Sequence, residues 1–194
     1  PSIDISPQSK NIPEIDVNPS NKPQGLTENK PKYLPVGSGS CFAVGEQGYI
    51  VTNNHVIDGC EVISIVNGAE ELTAKLISKD EVNDLAILKG DFVPLDSFAL
   101  TTENPELLQE IYVAGYPFGY SVSKSVKVTK GIISSLSGLG NNFSNLQIDA
   151  AIQPGNSGGP IIDKKGNLVG VAVSKLDLQQ ILEMHKGVPG KVNF

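Results

Sequence analysis

The chain has little of what builds metal centres and little surplus of positive charge. Two cysteines and two histidines occur among 194 residues. Cys41 and Cys60, with His185 as the one histidine besides His55, do not compose a structural zinc site. No metal and no cofactor is expected. Lys and Arg number 15 against 21 Asp and Glu, for a net charge of −6 and a pI near 4.9. That balance lacks the basic footprint that nucleic acid or an anionic membrane attracts, so neither is expected as a partner. No apolar run approaches the ~18 residues of a membrane span. No signal peptide is visible, and the chain opens Pro1-Ser2-Ile3 without a start Met, so upstream sequence is expected to have been removed.

What is present suits an all-β protein. Twenty glycines, 13 prolines and 39% hydrophobic residues fit many short strands joined by turns around a real core. Residues 1–33 hold six prolines among Ser, Asn, Lys and Gln, with no sustained apolar period. They read as an extended linker or disordered arm, or as a tether to an upstream domain. From Val36 the pattern changes. Residues 40–44 and 48–52 read as a hairpin turning at 45–47, and 53–58 as a short helical turn. Residues 61–66 alternate like a half-buried strand, Asn67-Gly68 signals a hairpin, and 70–78 returns. A strand at 84–89 completes a first unit of about 34–95. A second, about 105–194, has strands at 110–115, 125–135 and 146–149 and a hairpin of 161–162 with 168–174. Residues 176–185 are the one helix-like stretch. No internal period of 20 to 50 residues stands out, so a repeat array is excluded.

The chemistry concentrates in three places. Gln153-Pro154-Gly155-Asn156-Ser157-Gly158-Gly159-Pro160 surrounds a serine with glycines. Such a loop can aim backbone N–H groups at the oxygen that becomes negative when the hydroxyl attacks a carbonyl. A serine hydroxyl needs a base, and Thr52-Asn53-Asn54-His55-Val56 supplies one upstream. Asn83-Asp84-Leu85-Ala86-Ile87-Leu88 places a carboxylate at the start of an apolar run, where it can orient that base. Each residue alone has a plain structural use: Ser157 in a turn, Asp84 at a strand end, His55 in a core or cap. Together they give the order His, Asp, Ser, the order of the chymotrypsin-type triad.

These motifs, with Gly37-Ser38-Gly39, Gly115-Tyr116-Pro117 and Asp149-Ala150-Ala151-Ile152, resemble the trypsin-like serine proteases of the HtrA/Deg type. The resemblance runs from about Pro35 to Val173. It implies two six-stranded antiparallel β-barrels with the active site in the cleft between them, and peptide-bond hydrolysis by Ser157, His55 and Asp84. It implies an oxyanion hole from backbone N–H groups of the Gly155-Asn156-Ser157 turn, those of Gly155 and Ser157 above all. Gly155 is expected to be glycine because its backbone conformation resists a side chain.

Asn156 stands where digestive relatives carry an acid that pairs with a new N-terminus, so no activation by N-terminal insertion is expected. The loop 138–144 is either a control loop ordered by assembly or substrate, or a plain surface hairpin. Ala151 gives the specificity pocket an uncharged floor beside Ile152, and Val171, Ala172 and Val173 are expected to wall it. A small or medium aliphatic residue is the expected preference, with Phe194 in the core or at the pocket's border. Cys41 and Cys60 flank His55 and are either a brace by disulfide or two partly buried thiols. The resemblance implies unfolded polypeptide as substrate, a periplasmic or other extracytoplasmic location, and oligomers in many relatives. It also leads us to expect that the last strand and closing helix are cut short. A protein of the same fold that binds peptides without cutting them is the alternative.

Overall fold

The structure, a computed structural model, describes residues 2–6, 37–118 and 124–173. Its strands form two antiparallel sheets. The first contains β1 (Ser2–Ser6), β2 (Gly37–Ser40), β3 (Phe42–Val44), β4 (Tyr49–Thr52), β5 (Val62–Asn67), β6 (Glu70–Asp80) and β7 (Leu85–Gly90), in the order β2-β1-β5-β6-β7-β4-β3. The two ends of that order, β2 and β3, are successive pieces of one chain segment broken only at Cys41. The sheet therefore returns to its own beginning, and closure removes the exposed edges a flat sheet would leave. Counting the bent segment once gives six strands.

One of those six was not foreseen. Ser2–Ser6, which the sequence reading placed inside an extended arm, pairs with β2 through Ser2 opposite Ser40 and with β5 through Ile3 opposite Ile65. Backbone hydrogen bonds to both neighbours hold it there, and these depend on residues some 30 to 60 positions away, as the two registers show.

Local sequence explains the rest of this barrel. The β3–β4 turn uses Gly45 and Gly48 at positive φ, and Gly68 does the same between β5 and β6. Apolar residues at every second position of β5 and β7 face inward. Ile63, Ile65, Ala86 and Leu88 join Ile50 and Cys41 in the first core, capped by Val56 and Ile57 of α1 (Asn54–Ile57).

The second sheet runs β10-β9-β8-β11-β12, from β8 (Glu110–Gly115), β9 (Lys127–Ser135), β10 (Gln147–Ile148), β11 (Pro160–Asp163) and β12 (Leu168–Val171). It has five strands among the described residues, against the six expected. The helix-like stretch 176–185 and the final residues through Phe194 lie outside the described residues. Ile111, Val113, Ile133, Ala150 and Ala172 form its core. The loop at 138–144 is closed by its own bonds: Gly138 N–H donates to Asn142 O at 2.8 Å, and Ser144 N–H to Asn142 Oδ1 at 2.9 Å.

Candidate active site

β4 ends at Thr52, and Asn53 starts the single helical turn that carries His55. Asn53 sits at the cap position, yet its side chain does not cap the helix. Its amide Nδ2 donates instead to the main-chain oxygen of Asp84 at 2.9 Å. Asn54 N–H donates to the same oxygen at 3.2 Å. The carboxylate of Asp84 is held as closely. Oδ1 accepts the backbone N–H of His55 at 2.8 Å, and Oδ2 meets His55 Nδ1 at 2.5 Å. Four contacts thus converge on one residue, whose φ of 55° lies in the left-handed region. Aspartate tolerates that region better than most residues, and the contacts offset the remaining strain. A carboxylate oxygen only accepts, so in the neutral imidazole Nδ1 carries the proton and Nε2 carries none.

The turn before Asp84 is built by Asp80. Its carboxylate accepts the N–H groups of Val82 and Asn83 and the Asn83 side-chain amide. The hydrogen bonds from Asn83 hold the Asp80 carboxyl below the usual range.

Ser157 belongs to the other barrel and reaches the first through close backbone packing. Its carbonyl accepts Ser40 N–H at 2.8 Å. A Cβ placed on Gly39 would lie 2.7 Å from Val56 Cγ1 and 3.0 Å from Ser157 O, so the serine lies beside the helix of His55. Gly158 makes the tightest joint. It has φ of +85°, and a Cβ there would come within 2.2 Å of Ser40 O and 2.3 Å of Thr52 Oγ1. Replacing Gly158 by alanine should therefore destabilise the fold by about 3 kcal/mol or more, from backbone strain plus overpacking. Chemical denaturation measures it, and a loss under ~1 kcal/mol would contradict so close an approach.

Gly155 has φ of 98°, as expected of a position that resists a side chain. Its carbonyl accepts Ser40 Oγ at 2.7 Å. The expected oxyanion set needs one correction. Asn156 N–H donates to Gln153 O at 2.9 Å within the turn and is committed there. The Asn156 side chain is buried, and its Oδ1 has no hydrogen-bond partner.

The expected pocket residues separate. Ala151 is exposed, and its carbonyl accepts Thr129 Oγ1 at 2.9 Å. Ile152 and Val171 are half-buried and Val173 is exposed. Ala172 is a core residue, packed among Ile111, Val113 and Ile133, so its side chain does not wall a pocket. Its backbone ties the strand to the serine loop: Gly158 N–H donates to Ala172 O, and Ala172 N–H to Gly159 O. The cysteines are thiols, not a disulfide. Cys41 is buried in the first core, which pushes its thiol pKa up to about 12. Cys60 Sγ points to Asp58 O at 3.6 Å.

Sequence reasoning missed Ser40, Thr52, Asn53 and Asp80, which orient the site without touching the expected chemistry. Thr52 Oγ1 donates to Ser40 O at 2.9 Å, and both residues are fully buried. The one available signal was a polar run, Thr-Asn-Asn, entering a helix that its asparagine does not cap.

Residues 39–171 match the family model of the trypsin-like peptidase domain. A probable periplasmic serine endoprotease, DegP-like, of Pseudomonas savastanoi pv. phaseolicola is 37% identical over 86% of this chain and 35% of its own length. The DegP-like protein of Hahella chejuensis is 41% identical over 69% of this chain and 29% of its own. An uncharacterized protein of Sinorhizobium fredii, y4bJ, is 39% identical over 81% of the chain and 25% of its own. The chain thus spans a quarter to about a third of the length of these relatives. The crystal structure of the serine endoprotease from Yersinia pestis superposes with a TM-score of 0.64 at 28% identity, over 88% of this chain and 52% of that one. Taken with the two curled sheets and the His–Asp–Ser order, these matches place the chain in the trypsin-like peptidase family, among proteases of the HtrA/Deg type.

Proposed function

We propose that the chain is the protease unit of a serine endopeptidase. The observation that carries this is the doubly anchored His55–Asp84 pair, with Nδ1 on Oδ2 at 2.5 Å, beside a serine loop packed against the residues that lead into His55. Ser157 Oγ attacks the scissile carbonyl while His55 Nε2 takes its proton. Asp84 keeps the imidazole in the required tautomer and stabilises the imidazolium. The N–H groups of Gly155 and Ser157 hold the oxyanion; losing one such donor typically costs about 3–4 kcal/mol in the transition state. His55 then protonates the leaving amine, and water, activated by the same histidine, hydrolyses the acyl-enzyme.

The uncharged residues Ala151, Ile152 and Val171 favour small or medium aliphatic side chains on the acyl side of the cut. The substrates are unfolded polypeptides in an extracytoplasmic space, a reading supported by relatives named as periplasmic endoproteases. Among the described residues no helix is long and apolar enough to cross a membrane. A homo-oligomer or a further domain belongs to this proposal as well, since the relatives are much longer than the chain.

Intact-mass analysis after fluorophosphonate treatment tests the proposal, followed by cleavage of a peptide library. One adduct, mapped to Ser157, and cleavage after Val, Ala or Ile are expected. No adduct would support the peptide-binding alternative, and efficient cleavage confined to Lys or Arg would overturn the pocket reading.

A further inference from the structure

The first barrel reaches into the oxyanion turn through one buried side chain. We infer that Ser40 is a positioning residue that sets the orientation of the oxyanion loop; this rests on the reading of Gly155 and Ser157 as the oxyanion donors. Ser40 closes β2 and is 1% exposed. Its hydroxyl donates to Gly155 O at 2.7 Å and accepts Tyr116 N–H at 2.9 Å. Its own N–H donates to Ser157 O at 2.8 Å, and its carbonyl accepts Thr52 Oγ1 at 2.9 Å. One residue thus grips the carbonyls at both ends of the Gly155-Asn156-Ser157 turn.

Peptide geometry turns that grip into an orientation. In a planar trans peptide the C=O and N–H point in opposite directions, so pinning one aims the other. The Gly155 N–H shares its peptide with Pro154 O, which accepts Phe118 N–H at 2.6 Å. Phe118 lies in the turn that starts at Tyr116, whose N–H is bound by Ser40 Oγ. Ser40 therefore holds the 155–156 peptide directly and steadies the segment that holds the 154–155 peptide. Both peptides flank a glycine, which resists rotation less than any other residue. A hydroxyl can do both tasks because it donates and accepts at once; a methyl group can do neither. Deleting it leaves the Gly155 carbonyl without the bond that fixes it and takes this acceptor from Tyr116 N–H.

The test compares Ser40→Ala, Ser40→Cys and Ser40→Thr with the wild type, with kcat normalised to the folded fraction from circular dichroism. Ser40→Ala should lower kcat and the fluorophosphonate labelling rate about 10- to 100-fold, somewhat less than deleting an oxyanion donor outright, with KM nearly unchanged. Ser40→Thr, which restores the hydroxyl, should recover most of that loss, and Ser40→Cys, a weak donor of similar volume, should recover little. A merely structural role predicts a lower melting temperature and wild-type kcat per folded molecule in all three. That result, or equal rates for Ser40→Ala and wild type, overturns the inference and leaves the protease reading intact. A wild type that takes no label overturns the protease reading itself.

Discussion

Alanine at Ser157 and alanine at His55 should each lower kcat by about a million-fold, and the double variant should lose almost nothing further. In the proposed mechanism the two side chains perform one act. The hydroxyl attacks only as its proton leaves, and the imidazole has nothing to accept once the hydroxyl is gone. What survives is the proposed oxyanion turn, where Gly155 O accepts Ser40 Oγ, Pro154 O accepts Phe118 N–H and Gln153 O accepts Asn156 N–H. That turn should retain a rate about 10³–10⁴ above the uncatalysed reaction. Both variants should fold, because the bond from Ser40 N–H to Ser157 O is a backbone bond and the His55 segment is held through Asn53, Asn54 and the backbone N–H of His55 on Asp84. The measurement is kcat on a fluorogenic peptide for two single variants and the double. A single variant within tenfold of the wild type, or losses that multiply, would show that the two residues do not act as a unit.

The parts of the molecule that were legible in the sequence are those set by local rules. Alternation of apolar residues located β5, an apolar run after Asp84 located β7, Asn67-Gly68 located a hairpin, and the glycines around Ser157 announced a turn whose Gly155 has φ of 98°. The parts that were not legible depend on distance. Ser2–Ser6 does alternate, Ser-Ile-Asp-Ile-Ser, but it is five residues followed by a proline-rich stretch, and only its pairing with β2 and β5 makes it a strand. Cys41 and Cys60 have the spacing of a brace, but whether two cysteines bond depends on the geometry between them, which spacing does not report. Ala172 was read from the strand it extends, and only the packing of the second core shows where its side chain sits. Ser40 bonds Gly155 across 115 positions, a relation no local pattern carries. In each case the missing quantity was a contact between segments that the chain itself keeps far apart.

Asp84→Asn should lower kcat about 10⁴-fold while the backbone of the site stays in place. Asparagine is nearly the same shape and is among the few residues that accept the φ of 55° found here, so it introduces less strain than alanine would. The damage comes from proton placement, and the backbone decides it. Asp84 Oδ1 accepts His55 N–H at 2.8 Å, and that donor is immovable. An asparagine must keep its oxygen on that N–H, which turns its NH₂ toward His55 Nδ1. Two donors cannot face each other at the 2.5 Å now spanned by Nδ1 and Oδ2. Nδ1 must give up its proton and Nε2 takes it, so in the proposed mechanism Nε2 can no longer act as base. Asp84→Ala removes the constraint without imposing the wrong tautomer, so it separates orientation from proton placement. NMR of the imidazole nitrogens reads the tautomer directly. The expected result is a proton on Nδ1 in the wild type and on Nε2 in Asp84→Asn, with kcat falling in step. An unchanged tautomer with a 10⁴-fold loss would move the cause from proton placement to electrostatic support of the imidazolium.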